Sequence, residues 1–232
     1  SWALFKNPAC RLLCLNVAAY DAAKHDALPL VADARSGLED LGAALGDYSA
    51  PAPDAALKDS WMAAVAAVTA APRGNDLPSD AQVIGAVQRG LDDTAVVLGA
   101  AGGLPGELHK LWKAARPGGY HMEYGYSCMG YEIAGGLGAK MACPDREVVV
   151  MVGDGSYMMM NSELATSVML GLKIIVVLLD NRGFGCINRL QVATGGESFN
   201  NLLDTARHVT PSDIDFAARA ASMGAIAEKV DG

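Results

Sequence analysis

The chain has 232 residues, of which 51% are apolar and 19% charged, with a formal net charge of −8. That apolar fraction supports a sizeable core and excludes a disordered tail, while the acidic balance excludes non-specific nucleic-acid binding, which needs a basic face. A polyanionic ligand stays admissible, because a bound divalent cation supplies positive charge locally.

Ser1-Trp2-Ala3-Leu4-Phe5-Lys6 lacks the basic start and apolar core of a signal peptide, and the apolar runs are near strand length, too short to span a bilayer. The expectation is a cytoplasmic protein with no membrane or nucleic-acid partner. Five cysteines (Cys10, Cys14, Cys128, Cys143, Cys186) stand at irregular spacings without a CxxC pair, which predicts buried thiols in a reducing compartment. Cys10 and Cys14, beside an apolar run, are expected to pack in a core.

Residues 11–17 predict a buried strand, 28–32 a second, and 36–45 a helix, with Leu38, Leu41 and Leu45 on one face. This β–loop–β–α group is too small for a domain, and the chain enters it almost directly from Ser1. Residues 1–48 are therefore expected to be the closing part of a preceding domain whose body lies upstream. Residues 49–54, with two prolines, predict a linker. An Ala-rich helix over 55–71, a polar break over 72–76 and a helix over 80–90 follow, the last capped by Ser79 or Asp80. Then come a strand over 94–100, a Gly-rich loop, a helix over 129–142, a strand over 147–152, a helix over 161–170 and a strand over 173–179. A helix over 212–221 and a strand over 225–230 close the chain. Helices alternating with all-apolar strands predict an α/β fold, a parallel sheet with helices on both faces.

The stretch from Arg146 to Asn188 carries the chemistry. A buried strand ends in Gly153-Asp154-Gly155-Ser156, a helix follows, and a second buried strand ends in Asp180-Asn181-Arg182-Gly183. In a βαβ unit both strand ends emerge side by side, where ligands of open α/β sheets bind. Asp154 and Asn181 are thus expected to be neighbours in space. Mg²⁺ takes oxygen ligands, one or two from side chains and the rest from phosphate and water. Asp154 offers a carboxylate, Asn181 an amide oxygen and Gly183 a backbone carbonyl. The glycines allow close backbone approach, and Gly155 and Ser156 near a helix start offer N–H groups to a phosphate. Taken alone, a GDG triplet is an ordinary strand-to-helix turn; the ordered combination is the informative feature.

That combination resembles the thiamine-diphosphate enzymes, whose signature is GDG, some two dozen residues, then NN or DN. Here the intervening run, Ser156 to Leu179, has 24 residues. Upstream, Ser127-Cys128-Met129-Gly130-Tyr131 and the following small residues are similar to the family's M-G-aromatic stretch, with Ala134 where the family has Pro. The resemblance implies that Met129 supports the cofactor's bend and that the Ser127 carbonyl receives its exocyclic amine. Glu107-Leu108-His109-Lys110-Leu111-Trp112 is similar to the G-Q-H-Q-M-W segment of acetolactate-synthase-like members, which would bring His109 toward the diphosphate. The implied cofactors are thiamine diphosphate and Mg²⁺, held by His109, Ser127, Met129, Gly153, Asp154, Gly155, Ser156, Asn181, Gly183 and Phe184. Asp154, Asn181 and Gly183 are the implied metal ligands.

Residues 153–166 and 180–188 resemble the branch that hydrolyses a cyclohexane-1,2-dione in bacterial myo-inositol breakdown. That branch implies a small cyclic diketone substrate and a homo-oligomer, dimer or tetramer. The family's activating glutamate belongs to an N-terminal domain, and Glu123 and Glu132 flank Met129 instead of occupying its place. Residues 55–232 are then expected to be the diphosphate domain, continuing past residue 232, and to be inactive without the rest. An acetolactate-synthase-like carboligase would share the same metal motif. A non-catalytic assembly domain of the same fold is the third reading, which the combined Asp154, Asn181 and Met129 disfavour.

Overall fold

The computed structural model describes residues 5–72, 74 and 77–230. The polar break expected over 72–76 lies partly outside them, as do residues 1–4. The chain divides into two compact units, residues 1–55 and 56–232.

In the first unit, β1 (Leu13–Asn16) pairs in parallel with β2 (Leu28–Val31), Leu13 opposite Leu28. A parallel pair cannot close through a tight turn. The connection holds α1 (Ala19–Ala22) and a 3₁₀ turn at Lys24–Asp26, where the sequence predicts only a loop. The helix α2 (Ala34–Leu45) starts at Asp33, whose carboxylate accepts the N–H groups of Arg35 and Ser36. Gly37 lets this helix approach Leu15, whose Cδ1 would lie 2.5 Å from any Cβ there.

The second unit begins with α3 (Ala55–Val68) and α4 (Asp80–Arg89). Ser79, not Asp80, is the cap of α4, in a reciprocal box with Gln82. Then follow β3 (Val96–Gly99), α5 (Gly103–Leu111), β4 (Tyr120–Met122), α6 (Tyr131–Ala142), β5 (Val148–Gly153), α7 (Asp154–Met159), α8 (Glu163–Met169) and β6 (Ile175–Leu179). α9 (Gly185–Ala193) and α10 (Phe216–Ser222) complete the described elements. The four strands form an all-parallel sheet in the order β4-β3-β5-β6.

The central strand β5 explains the two-faced architecture. Successive side chains of a strand point to opposite faces. Val149 and Met151 pack with Ile84, Leu104, Leu108 and Leu111 of α4 and α5, whereas Val150 and Val152 pack with Ile133, Tyr157 and Leu164 of α6, α7 and α8. The α/β sheet covered on both faces is thus the observed fold.

Several expectations need correction. The segment read as a Gly-rich loop holds α5, because Leu104, Leu108 and Leu111, at helical spacing, bury against the sheet despite the glycines. The last helix starts at Phe216 instead of 212, since Asp215 supplies the cap by accepting the Ala218 N–H. Residues 225–230 form no strand: Ile226 and Val230 are exposed, and β6 is paired with β5 alone among the described residues. A short, partly apolar run makes a strand only where a ladder partner is supplied. The cysteines are free, and none is buried; Cys10 and Cys128 are exposed. No described helix is long and apolar enough to cross a membrane.

Candidate functional site

The pairing of β5 with β6 runs to its end, Gly153 opposite Leu179, so the two strands finish side by side. The loops that leave them are bonded to each other. Asp154, 7% exposed, accepts the Gly183 N–H through Oδ2 at 2.8 Å. Its Oδ1 is buried without a hydrogen-bond partner. Burial pushes the Asp154 carboxyl up, and nearby Asp180 adds to this, while the N–H groups of Gly183, Gly155 and Asn181 oppose it. A buried carboxylate oxygen with a free lone pair is a costly arrangement, and a hard cation is the partner that would satisfy it. Among the described residues no cluster of three His, Cys, Asp or Glu could hold a metal. A cation beside Asp154 would therefore depend on neutral oxygens and on a ligand.

The Asp180–Gly183 loop is shaped by its own side chains. Asp180 accepts the Arg182 N–H at 2.8 Å, and Arg182 has a left-handed backbone with φ 59°. Its guanidinium reaches Asp204 at 3.4 Å and Asp213 at 3.3 Å, tying the loop to the segment beyond α9. Gly183 has φ 139°, and a Cβ there would lie 2.4 Å from the Asn201 carbonyl oxygen, so only glycine fits. The Asn181 side chain lies against Gly185 at the start of α9, 3.1 Å from where a Cβ would stand.

Met129 and Phe184 meet at Gly155. A Cβ on Gly155 would stand 2.9 Å from Phe184 Cε1 and 3.5 Å from Met129 Cε. The structure thus brings Met129, Asp154, Gly155, Gly183 and Phe184 together around the ends of β5 and β6. Met129 and Phe184 are 37% and 42% exposed, forming an open apolar rim beside the polar loops. Ser127 stands in the loop before α6 with φ 53°, its hydroxyl directed at the Ala100 carbonyl at 3.4 Å. The Ser156 hydroxyl is turned inward to Glu132 at 2.7 Å and does not face the rim. His109 lies exposed on α5, and its ring neighbours are Tyr120 at 6.3 Å and Tyr124 at 6.0 Å. No contact joins it to the Asp154 loop among the described residues.

Two carboxylates with no site role expected from the sequence hold the Ser127–Gly130 turn at its ends. Glu123 accepts the N–H groups of Tyr126 at 2.9 Å and Cys128 at 2.7 Å, and these bonds hold its carboxyl below the usual range. Glu132, in the first turn of α6, accepts the Gly130 N–H at 3.0 Å. The available signal was weak: an acid near a helix start ordinarily reads as a solvent-facing complement to the helix dipole.

Comparison with known proteins gives the same picture at the level of family and fold. Residues 100–232 match the family described as thiamine pyrophosphate enzyme, C-terminal TPP binding domain. A 3D-(3,5/4)-trihydroxycyclohexane-1,2-dione hydrolase of Geobacillus thermodenitrificans is 43% identical over 82% of this chain and 34% of its own length. The hydrolase of that name from Bacillus cereus strain AH820 is 40% identical over 95% of this chain and 39% of its own. The chain thus spans little more than a third of the curated relatives it matches. Among solved structures, the thiamine diphosphate-dependent 4-hydroxybenzoylformate decarboxylase of Rhodococcus jostii RHA1 superposes with a TM-score of 0.68. That superposition covers 94% of this chain and 38% of the decarboxylase at 20% sequence identity, a likeness of fold. With more than half of its residues matched, this chain belongs to the thiamine pyrophosphate enzymes, of which it carries the C-terminal cofactor-binding domain.

Proposed function

We infer that these 232 residues are the diphosphate- and Mg²⁺-binding portion of an enzyme that hydrolyses 3D-(3,5/4)-trihydroxycyclohexane-1,2-dione. Water would add across the bond between the two adjacent ring carbonyls, leaving a carboxylate at one end and an aldehyde at the other, as in 5-deoxy-glucuronate. The observation that carries the cofactor reading is Asp154: a buried carboxylate at the joined ends of β5 and β6 with one oxygen unpartnered. The substrate reading rests on the names of relatives 40–43% identical to most of this chain.

In this reading Asp154, the Asn181 side chain and the Gly183 carbonyl would supply protein oxygens to Mg²⁺, the rest coming from the diphosphate and water. The N–H groups of Gly155 and Ser156, beside Gly153, would be offered to the diphosphate, and His109 is assigned to it on the resemblance of its segment alone. Met129 and Phe184 would form the apolar support over Gly155, and the Ser127 carbonyl would accept the cofactor's amine. When bound, thiamine diphosphate supplies a nucleophilic thiazolium carbon and an electron sink. The protein's part would be to bind and orient the cofactor and the dione. Residues 1–48 are read as the end of a preceding domain, 49–54 as a linker and 55–232 as the diphosphate domain. Activity then requires residues outside this chain and a second copy of the subunit, and the 232 residues alone are inactive.

The test uses the full-length protein, loaded with Mg²⁺ and thiamine diphosphate, and follows consumption of the dione by mass spectrometry. Ring opening that depends on both additions is expected. Efficient acetolactate formation from pyruvate with the dione untouched would instead identify a carboligase.

A further inference from the structure

Glu132 is 1% exposed, the most deeply buried charged residue among the described ones. Its carboxylate gathers donors from three separate segments. Oε1 accepts the Ala101 N–H at 3.2 Å, just beyond β3. Oε2 accepts the Gly130 N–H at 3.0 Å, in the turn that carries Met129. The Ser156 hydroxyl, from α7, donates to the same carboxylate at 2.7–2.8 Å. Ser156 Oγ also accepts the Gly130 N–H at 2.8 Å, closing a small network.

All three donors are neutral, and no ion pair of the described residues includes Glu132. A buried carboxylate without a cation is a poor way to fill a core, and an apolar side chain of similar volume would pack there at lower cost. What a carboxylate provides and an apolar group does not is a two-oxygen fork that fixes several N–H and O–H groups at once. The groups fixed are those that set the site. Gly130 follows Met129, and Ser156 follows Gly155, the residue over which Met129 and Phe184 meet.

We propose that Glu132 is a positioning residue that locks the Met129–Gly130 turn onto the Gly155–Ser156 backbone and so fixes the Met129 side chain over Gly155, where it would support thiamine diphosphate. This rests on the cofactor reading of Met129 and Gly155. Glutamine is nearly isosteric, but its NH₂ must face one of the N–H groups that the carboxylate accepts, so one segment is released. Ser156→Ala removes the bridging hydroxyl while leaving both backbone bonds to Glu132.

The experiment titrates the full-length protein and its Glu132→Gln, Glu132→Ala and Ser156→Ala variants, each with Mg²⁺ plus either inorganic pyrophosphate or thiamine diphosphate. Calorimetry and melting temperature are the readouts. Pyrophosphate reads the metal and diphosphate end alone; the complete cofactor also reads the placement of Met129. Glu132→Gln should weaken thiamine diphosphate by about tenfold or more, the scale of a lost hydrogen bond to a charged group. Pyrophosphate should change by less than about threefold, because Asp154 and Gly183 are untouched. Ser156→Ala should shift the same way by less.

Equal weakening of both ligands, or no change in either, would overturn the proposal and leave Glu132 a fold determinant only. Failure of all three variants to fold would overturn it likewise. A wild-type protein that binds pyrophosphate but gains nothing from the rest of the cofactor would defeat the cofactor reading itself, and with it the role of Glu132.

Discussion

Asp154 Oδ2 accepts the Gly183 N–H at 2.8 Å, which joins the end of β5 to the loop after β6 across 29 positions of sequence. Because the other oxygen of Asp154 is buried without a partner, the residue serves two purposes that substitution can separate. In Asp154→Asn the amide oxygen can still accept from Gly183, and the cost of burying a charge is removed. Metal-free stability should therefore change by less than about 1 kcal/mol. Mg²⁺-dependent binding of thiamine diphosphate should fall on the order of 100-fold, since hard-cation affinity follows carboxylate charge. Calorimetry with and without Mg²⁺ checks both. A large loss of metal-free stability with binding intact would make Asp154 a loop brace and nothing more.

The glycines of the two loops should differ sharply in their tolerance of alanine. At Gly183 the intruding Cβ meets backbone, Asn201 O at 2.4 Å and Leu202 Cα at 3.0 Å, in a left-handed conformation. At Gly155 it meets the edge of the Phe184 ring, which is 42% exposed and can swing outward. Gly183→Ala should lower stability by about 2 kcal/mol or more, and Gly155→Ala by less than about 1 kcal/mol. Gly155→Ala should still weaken cofactor binding, because the displaced ring takes the Met129 contact with it. Denaturant melts of the two variants compare them directly; equal destabilisation would contradict the geometry.

The parts of this molecule that were legible are those where one segment decides its own structure. The all-apolar runs of β3 and β5 are strands buried on both faces, that of β6 is a half-buried edge strand, and the order GDG, helix, strand, DN placed two loops side by side. Strand β4 escaped notice because Tyr120-His121-Met122 is short and mixed, and it exists through pairing with β3. The pattern over 225–230 misled for the converse reason, having no ladder partner. Glu132 was illegible because nothing in a sequence distinguishes an acid that faces water from one whose donors converge from Ala101, Gly130 and Ser156.

Glu123 gives a dependence on pH. Its carboxyl is held below the ordinary 4.5 by the N–H groups of Tyr126 and Cys128. The depressed value means that its contribution to stability is fully present above the unfolded-state pKa and is lost as pH falls through the folded-state value. Protection factors of the Tyr126 and Cys128 amides should therefore hold near neutrality and be lost only as pH falls through the depressed value of Glu123, a local opening. Glu123→Gln should show low protection at all pH values. Unchanged protection in that variant would place the ordering of the loop elsewhere.

Met129 offers the clearest separation of packing from function. Its side chain is 37% exposed, with the methyl end over Gly155 beside Phe184. A half-exposed methionine loses only part of the burial that a core residue loses on truncation, so Met129→Ala should cost about 1 kcal/mol or less in metal-free stability. If the side chain supports the bent cofactor, its loss allows unproductive orientations, and misplacement of reacting groups lowers turnover on the order of 100-fold. Met129→Leu restores apolar volume at nearly the same reach and should recover most of that loss. The measurements are melting temperature, thiamine diphosphate affinity and turnover of the proposed dione substrate, all on the full-length protein. A parallel fall in stability and turnover, with no recovery in Met129→Leu, would assign Met129 to packing alone. Large loss of turnover at nearly constant melting temperature would assign it to holding the cofactor.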